Sequence, residues 1–223
     1  MKTNEMLQKD VQDAIKWEPL LNAAEIGVTA KDGVVTLTGL VDSYSKKLEA
    51  ENAAKNTAGV KAVVEKIEIK FCSAWSKSNG DIANEVLKAL KSNWEFPTEK
   101  VKVKVEDGWV TLEGELSWNY QKDAAEKAVT NLAGVKGIIN NIKIKSETKS
   151  EIEKSDIEKA LARNWSINDK DIHVKVTGSR VVLTGLVNSI YQKEEAERIV
   201  WNTPGVWNLD NELVVEYAHS LVN

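Results

Sequence analysis

Within its 223 residues the chain has one cysteine, three prolines, two phenylalanines and two histidines. A single cysteine, Cys72, excludes an internal disulfide, and it is expected to behave as a small buried hydrophobe. His173 and His219 have no cysteine or second histidine near them in sequence. No metal-ligand spacing is present, and neither metal nor cofactor is expected. No apolar run reaches the ~18–20 residues that cross a bilayer, so no transmembrane segment is expected. The opening stretch, "MKTNEMLQKDVQDAIKWEP", lacks the uninterrupted apolar core of a secretory leader, and as written the chain is expected to be cytoplasmic. Net charge is −4, with 30 basic and 34 acidic residues. Residues 1–73 carry −1, residues 74–145 +1 and residues 146–223 −4. No third is basic enough to predict nucleic-acid binding, which needs many phosphate-neutralising side chains.

What is present is repetition. "DGVVTLTGLV" (32–41) returns as "DGWVTLEGEL" (107–116) and as "GSRVVLTGLV" (178–187). Gly39 and Gly59 lie 20 residues apart, as do Gly114 and Gly134, and Gly185 and Gly205. A valine follows the second glycine each time: Val60, Val135 and Val206. The copies are offset by 75 and then 71 residues. A unit of this size suits a small domain rather than a solenoid repeat. The domains are expected at 3–71, 79–145 and 150–217, separated by the polar linkers "CSAWSKSNG" and "SETKS".

Each unit reads alike. Leu7, Val11, Ala14 and Ile15 share one face of a first helix, as do Ile82, Val86, Ala89 and Leu90. Ile157, Ala160 and Leu161 do the same in the third copy, after a candidate capping box from Ser150 to Glu153. Two strands of period-two alternation follow, clearest in "VKVKV" (101–105) and "IHVKV" (172–176). Asp32-Gly33 and Asp107-Gly108 fit tight hairpin turns, and Gly178-Ser179 shifts the glycine by one. A second helix is marked by Leu48, Ala54 and Ala58, by Ala125, Ala128, Val129 and Leu132, and by Ala196, Ile199, Val200 and Thr203. Gly59, Gly134 and Gly205 sit where a helix-ending residue belongs. A last strand carries Val63, Ile67 and Ile69 and their counterparts. The expected class is α+β: three tandem α-β-β-α-β domains, each a three-stranded mixed sheet with two helices on one face.

This pattern, a helix, then "DGVVTLTGLV", then "SKKLEAENAAKNTAGV" and Gly-Val leading into "VVEKIEI", resembles the BON domain, in three tandem copies. That family includes OsmY-like osmotically inducible proteins. The resemblance implies the α-β-β-α-β fold and a transport-associated, phospholipid-binding or partner-binding role in osmotic or envelope stress. It implies the periplasm if a leader has been removed. Two departures stand out: three copies and no visible leader.

No catalytic set is expected. No Ser-His-Asp or Cys-His pairing recurs among the copies, and "DGVVTLTG" has no Lys-Ser/Thr after its glycines, so it is not a phosphate loop. Gly33, Gly39, Gly59, Gly108, Gly114, Gly134, Gly178, Gly185 and Gly205 read as structural turn positions. The second glycine of each motif (39, 114, 185) is expected to end a strand where a side chain would obstruct a neighbour. Binding candidates lie where the copies differ. Lys100, Lys102 and Lys104 alternate with valines, which places them on one strand face with Trp109. Lysines beside an indole suit an anionic phospholipid surface. Eight tryptophans against two phenylalanines supply the second feature. Trp94 and Trp165 hold equivalent positions and are expected to be structural. Trp75, Trp118, Trp201 and Trp207 have no matching aromatic in other copies, so they are candidates for contact with an envelope protein or between units. The expectation is a non-enzymatic protein associating with a membrane surface. The alternatives are a protein–protein scaffold and monovalent cation (K⁺) binding through backbone carbonyls.

Overall fold

A computed structural model describes residues 3–71, 77–95, 97–145, 152–164, 167 and 171–216. Repeat one has α1 (Asn4–Trp17), β1 (Ile26–Lys31), β2 (Val34–Val41), α2 (Tyr44–Asn56) and β3 (Ala62–Ile69). Repeat two has α3 (Asn79–Lys91), β4 (Val101–Glu106), β5 (Trp109–Leu116), α4 (Asn119–Thr130) and β6 (Gly137–Ile144). Repeat three has α5 (Lys154–Ala162), β7 (Ile172–Thr177), β8 (Arg180–Val187), α6 (Ile190–Trp201) and β9 (Asn208–Val215). In each sheet the middle strand of the sequence is also the central strand. The hairpin strands pair antiparallel in all three repeats, and β5/β6 and β8/β9 pair parallel. These are mixed three-stranded sheets in three α+β repeats, the class expected from the sequence.

Local chemistry accounts for the ends. The Thr3 hydroxyl accepts from the Met6 N–H at α1, and Ser78 with Asp81 closes a capping box on α3. Ser150, predicted to cap α5, lies outside the described residues, and Glu153 precedes that helix. All three hairpins have two-residue loops, between Lys31 and Val34, Glu106 and Trp109, and Thr177 and Arg180. Asp32-Gly33 and Asp107-Gly108 have positive φ at both positions. In repeat three Gly178 alone does, at 60°, which is the type II′ arrangement. The shifted glycine changes the turn type and leaves the loop length unchanged. The second helices stop earlier than the expected helix positions suggest: Ala58, Leu132 and Thr203 lie beyond the ends of α2, α4 and α6.

Gly39, Gly114 and Gly185 do not end their strands. They lie inside β2, β5 and β8, paired with Ile26, Val101 and Ile172. Their φ values are 145°, 151° and 123°. The backbone just before the partner strand crowds each one. A Cβ on Gly114 would sit 2.0 Å from the Lys100 carbonyl oxygen.

Burial follows the two periodicities. Val110 and Leu112 on β5 point inward onto Ile82, Val86 and Leu90 of α3 and Ala125 and Val129 of α4. Val181, Leu183, Ile157, Leu161, Ala196 and Val200 repeat this in the third core. Ala50, Ala125 and Ala196 are fully buried, and their small side chains let the second helix approach the sheet. A polar latch ties that helix to the last strand in two repeats. Asn140 Nδ2 donates to the Lys122 carbonyl and to Glu126 Oε2, while its Oδ1 accepts from the Ile142 N–H. Asn211 does the same with Lys193, Glu197 and Leu213. The chain divides into two compact units: Met1–Gly39, Leu48–Ile67 and Ser150–Asn223 form one, Leu40–Lys47 and Glu68–Lys149 the other. Within the second unit Tyr44 packs against the repeat-two core.

In repeat three a carboxylate joins the helices. Glu195 accepts from both Arg198 Nε (2.7 Å) and Arg198 Nη2 (2.6 Å), and from Asn164 Nδ2 (2.7 Å) after α5. The hydrogen bond from Arg198 holds its pKa below the ordinary value against the opposing effect of burial. A depressed carboxylate contributes stability above its unfolded pKa and loses it as pH falls through the folded one. Arg198→Met is therefore expected to destabilise repeat three at pH 7. The difference from wild type should shrink as pH drops below about 4.3, the ordinary Glu value. Urea unfolding at pH 7 and pH 3 measures this, and a pH-independent difference would contradict it.

Candidate binding face

Because both helices of repeat two pack on one side, the other face of its sheet is open. Lys102, Lys104 and Glu106 of β4 point outward and are exposed. So do Trp109, Glu113 and Glu115 of β5, with the half-buried Thr111 between them. Ile139, Asn141 and Lys143 complete the face on β6. Strand β4 begins at Val101, so Lys100 is not on it. Lys100 is exposed and ends a short 3₁₀ turn, Thr98–Lys100, that follows Pro97, and its carbonyl oxygen lies close against Gly114. Two of the three predicted lysines share the strand face with Trp109; the third belongs to the turn before it.

Register gives the face its charge. Lys102 lies opposite Glu113, and Glu115 lies opposite Lys143. Lys104 Nζ is 2.9 Å from Glu106 Oε2. Lysines and glutamates are balanced across the three strands, and the face is not a cationic plate. Its most distinctive group is the indole. Trp109 is 45% exposed and pairs with Glu106 on one side and Gly137 on the other. A Cβ on Gly137 would come within 2.3 Å of the Trp109 ring, so the ring lies across β6 only because residue 137 has no side chain. Ile139, two residues on, is 43% exposed and extends the apolar strip.

Gly137 and Ile139 are absent from the sequence-based candidates. Their signal was present in the repeats. Position 109 is Val34 in repeat one and Arg180 in repeat three, while position 137 is Ala62 and Asn208. The one copy with a tryptophan is the one with a glycine beside it. In repeat three the corresponding Arg180 binds Asp210 on the neighbouring strand, with Nε 2.6 Å from Oδ2.

The tryptophans separate into different roles. Trp201 packs against the repeat-three core, with its Nε1 directed at Glu197 Oε1 (3.4 Å), so its surface is partly spent inside its own repeat. Trp118 is half-buried ahead of α4, where Gln121 Oε1 accepts its backbone N–H. Trp207 is 42% exposed at the start of the last strand segment. Trp75, Trp165 and Cys72 lie outside the described residues. The expectation for Trp94 fails: it is 91% exposed after α3 and packs into no core. Its position after the first helix is shared with Trp165, but a shared position in sequence does not bring a side chain into contact.

Among the described residues no cluster of His, Cys, Asp or Glu side chains could hold a metal ion, and no helix is long and apolar enough to cross a membrane.

A family model described as BON domain matches residues 3–70, 78–146 and 150–217. The Osmotically-inducible protein Y of Escherichia coli (strain K12) is 33% identical over 129 residues, covering 56% of this chain and 64% of its own length. The 21 kDa hemolysin of Actinobacillus pleuropneumoniae is 32% identical over 138 residues, covering 61% of this chain and 67% of its own. The match thus spans about two thirds of the length of these curated relatives. Among solved structures, the C-terminal domain of CdsD, the structural protein of the type III secretion system of Chlamydia trachomatis, aligns over 97% of this chain at 19% identity, with a TM-score of 0.26. An overlap that slight bears on neither fold nor function.

Proposed function

Because the chain belongs to the BON domain family over all three of its repeats, we propose that it is a non-enzymatic binding protein that associates with phospholipid surfaces of the cell envelope under osmotic stress. The relatives support the setting: one is named for osmotic induction and the other as a hemolysin. The observation that carries the reading is the open sheet face of repeat two, where Trp109 lies over Gly137 beside Ile139. An indole on a face that also carries lysines suits the headgroup boundary, with the ring at interfacial depth and Lys102 and Lys104 toward phosphate.

The charge balance changes the expected energetics. At roughly 1 kcal/mol for each surface lysine, attraction to an anionic bilayer is offset by Glu106, Glu113 and Glu115. The apolar strip then dominates. Burying the exposed part of the indole contributes roughly 1–3 kcal/mol. Trp109→Ala is therefore expected to weaken vesicle capture by about tenfold or more. Raising salt should weaken it by less, since Lys104 is paired with Glu106 and Glu113 lies opposite Lys102. Co-sedimentation with phosphatidylcholine vesicles, with and without phosphatidylglycerol, at low and high salt tests both statements. Absence of capture on either vesicle, or capture indifferent to Trp109→Ala, would sink the proposal.

A second reading is a protein–protein scaffold, favoured by Trp207, which is 42% exposed and has no aromatic counterpart in the other repeats. On that reading Trp207→Ala abolishes a pull-down partner and leaves vesicle binding intact.

A further inference from the structure

Repeat one departs from the other two at the polar latch. Where they have Asn140 and Asn211, it has Glu65. A carboxylate has no proton to donate, so Glu51, the counterpart of Glu126 and Glu197, meets no amide from that strand. Glu51 instead pairs with Lys55 one turn along α2, at 3.1 Å. Lys55 is also peculiar to repeat one, standing where the others have Thr130 and Trp201. Its ammonium donates to Glu194 Oε1 on α6, 2.8 Å away and 139 residues distant in sequence. One turn further, the Gly59 N–H donates to the Asn188 carbonyl at 3.3 Å. Asn188 immediately precedes Ser189, the N-cap of α6. The C-terminal end of α2 thus meets the N-terminal end of α6 within one compact unit. Lys55 also suits its own helix, as a cation in the last turn of α2.

We propose that the C-terminal end of the first repeat's second helix is an inter-repeat recognition surface whose partner is the N-terminal end of a second helix of the same fold, supplied by repeat three. The partner must offer a backbone carbonyl ahead of the helix cap and a carboxylate six residues later. Repeat three offers Asn188 and Glu194. At the second of these positions repeat two has Asp123, one methylene shorter and hydrogen-bonded to Asn119, and repeat one has Leu48. Glu194 is the one long carboxylate among the three copies. Chain order makes repeats one and two neighbours, yet most of repeat one groups with repeat three, and this contact lies within that unit. The environment of Lys55 agrees: burial alone would lower its pKa, and the hydrogen bond and charge of Glu194, with Glu51, outweigh burial and raise it.

Backbone hydrogen exchange by NMR on the full-length chain tests this at one amide. In wild type the Gly59 N–H is protected by a carbonyl of repeat three. Lys55→Glu and Glu194→Lys are each expected to speed its exchange by about tenfold or more. The double exchange, Lys55→Glu with Glu194→Lys, restores the pair in reverse and recovers most of the protection. The Ala53 and Ala54 amides, inside α2, report on the helix itself and are expected to stay slow throughout. Unchanged Gly59 exchange in the single variants overturns the proposal. So does a double variant with no recovery, and so does acceleration at Ala53 and Ala54 equal to that at Gly59.

Discussion

Gly114→Ala is expected to destabilise repeat two by about 3–5 kcal/mol, enough to unfold it under conditions where repeat three stays folded. Two costs combine. Residue 114 has φ 151°, which an L side chain rarely adopts. The added methyl would also meet the Lys100 carbonyl oxygen at 2.0 Å, and that oxygen belongs to the backbone turn leading into β4. No rotamer change relieves a backbone clash, so the hairpin must shift or open. Gly39 and Gly185 face the same obstacle, with the Glu25 and Asp171 carbonyl oxygens at 2.1 and 1.9 Å. Gly80→Ala is the contrasting control. Its nearest neighbour is the Ser78 hydroxyl at 3.7 Å, and it lies in α3, so a methyl there is expected to stabilise by about 0.5–1 kcal/mol. Hydrogen exchange of the β4 and β5 amides measures both variants. A Gly114→Ala chain with wild-type protection in β5 would disprove the account of this position.

Leu112→Ala is the second large effect, expected to cost about 2–5 kcal/mol. Leu112 is fully buried at the centre of β5, between Val103 and Asn140 on the neighbouring strands and beneath both helices. Truncation removes transfer energy and leaves a cavity that two rigid helices close only in part. On the opposite face, Ile139→Ala alters a side chain 43% exposed and is expected to change stability by less than about 0.5 kcal/mol. The pair separates core from binding face on one sheet. Urea midpoints for the repeat-two transition should fall for the first and hold for the second. Equal shifts would mean that the open face is covered in solution.

Of the candidate site, the part that strand alternation controls was legible. Lys102, Lys104 and Trp109 share a face because period two places them there on adjacent strands of a tight hairpin. Lys100 was misplaced because the alternation runs one residue past the strand, and a 3₁₀ turn precedes it. Glu113 and Gly137 were invisible as neighbours. Glu113 depends on hairpin register, and Gly137 reaches Trp109 only after α4 returns the chain to the sheet. Trp94 was misread for a related reason: equivalence between copies fixes a position along the chain and says nothing about what covers it.

What the amino-acid order determined alone is the triple α-β-β-α-β plan. Helical and strand periodicities, two-residue turns and the glycines 20 residues apart are local codes, each satisfied within a few neighbours. Tertiary structure decided everything that depends on which distant residues meet. It balanced the lysines with glutamates, laid an indole over a glycine, and brought Lys55 to Glu194. Those outcomes turn on register and docking, where a shift of a few ångströms changes the partner, and no short stretch of sequence carries that information.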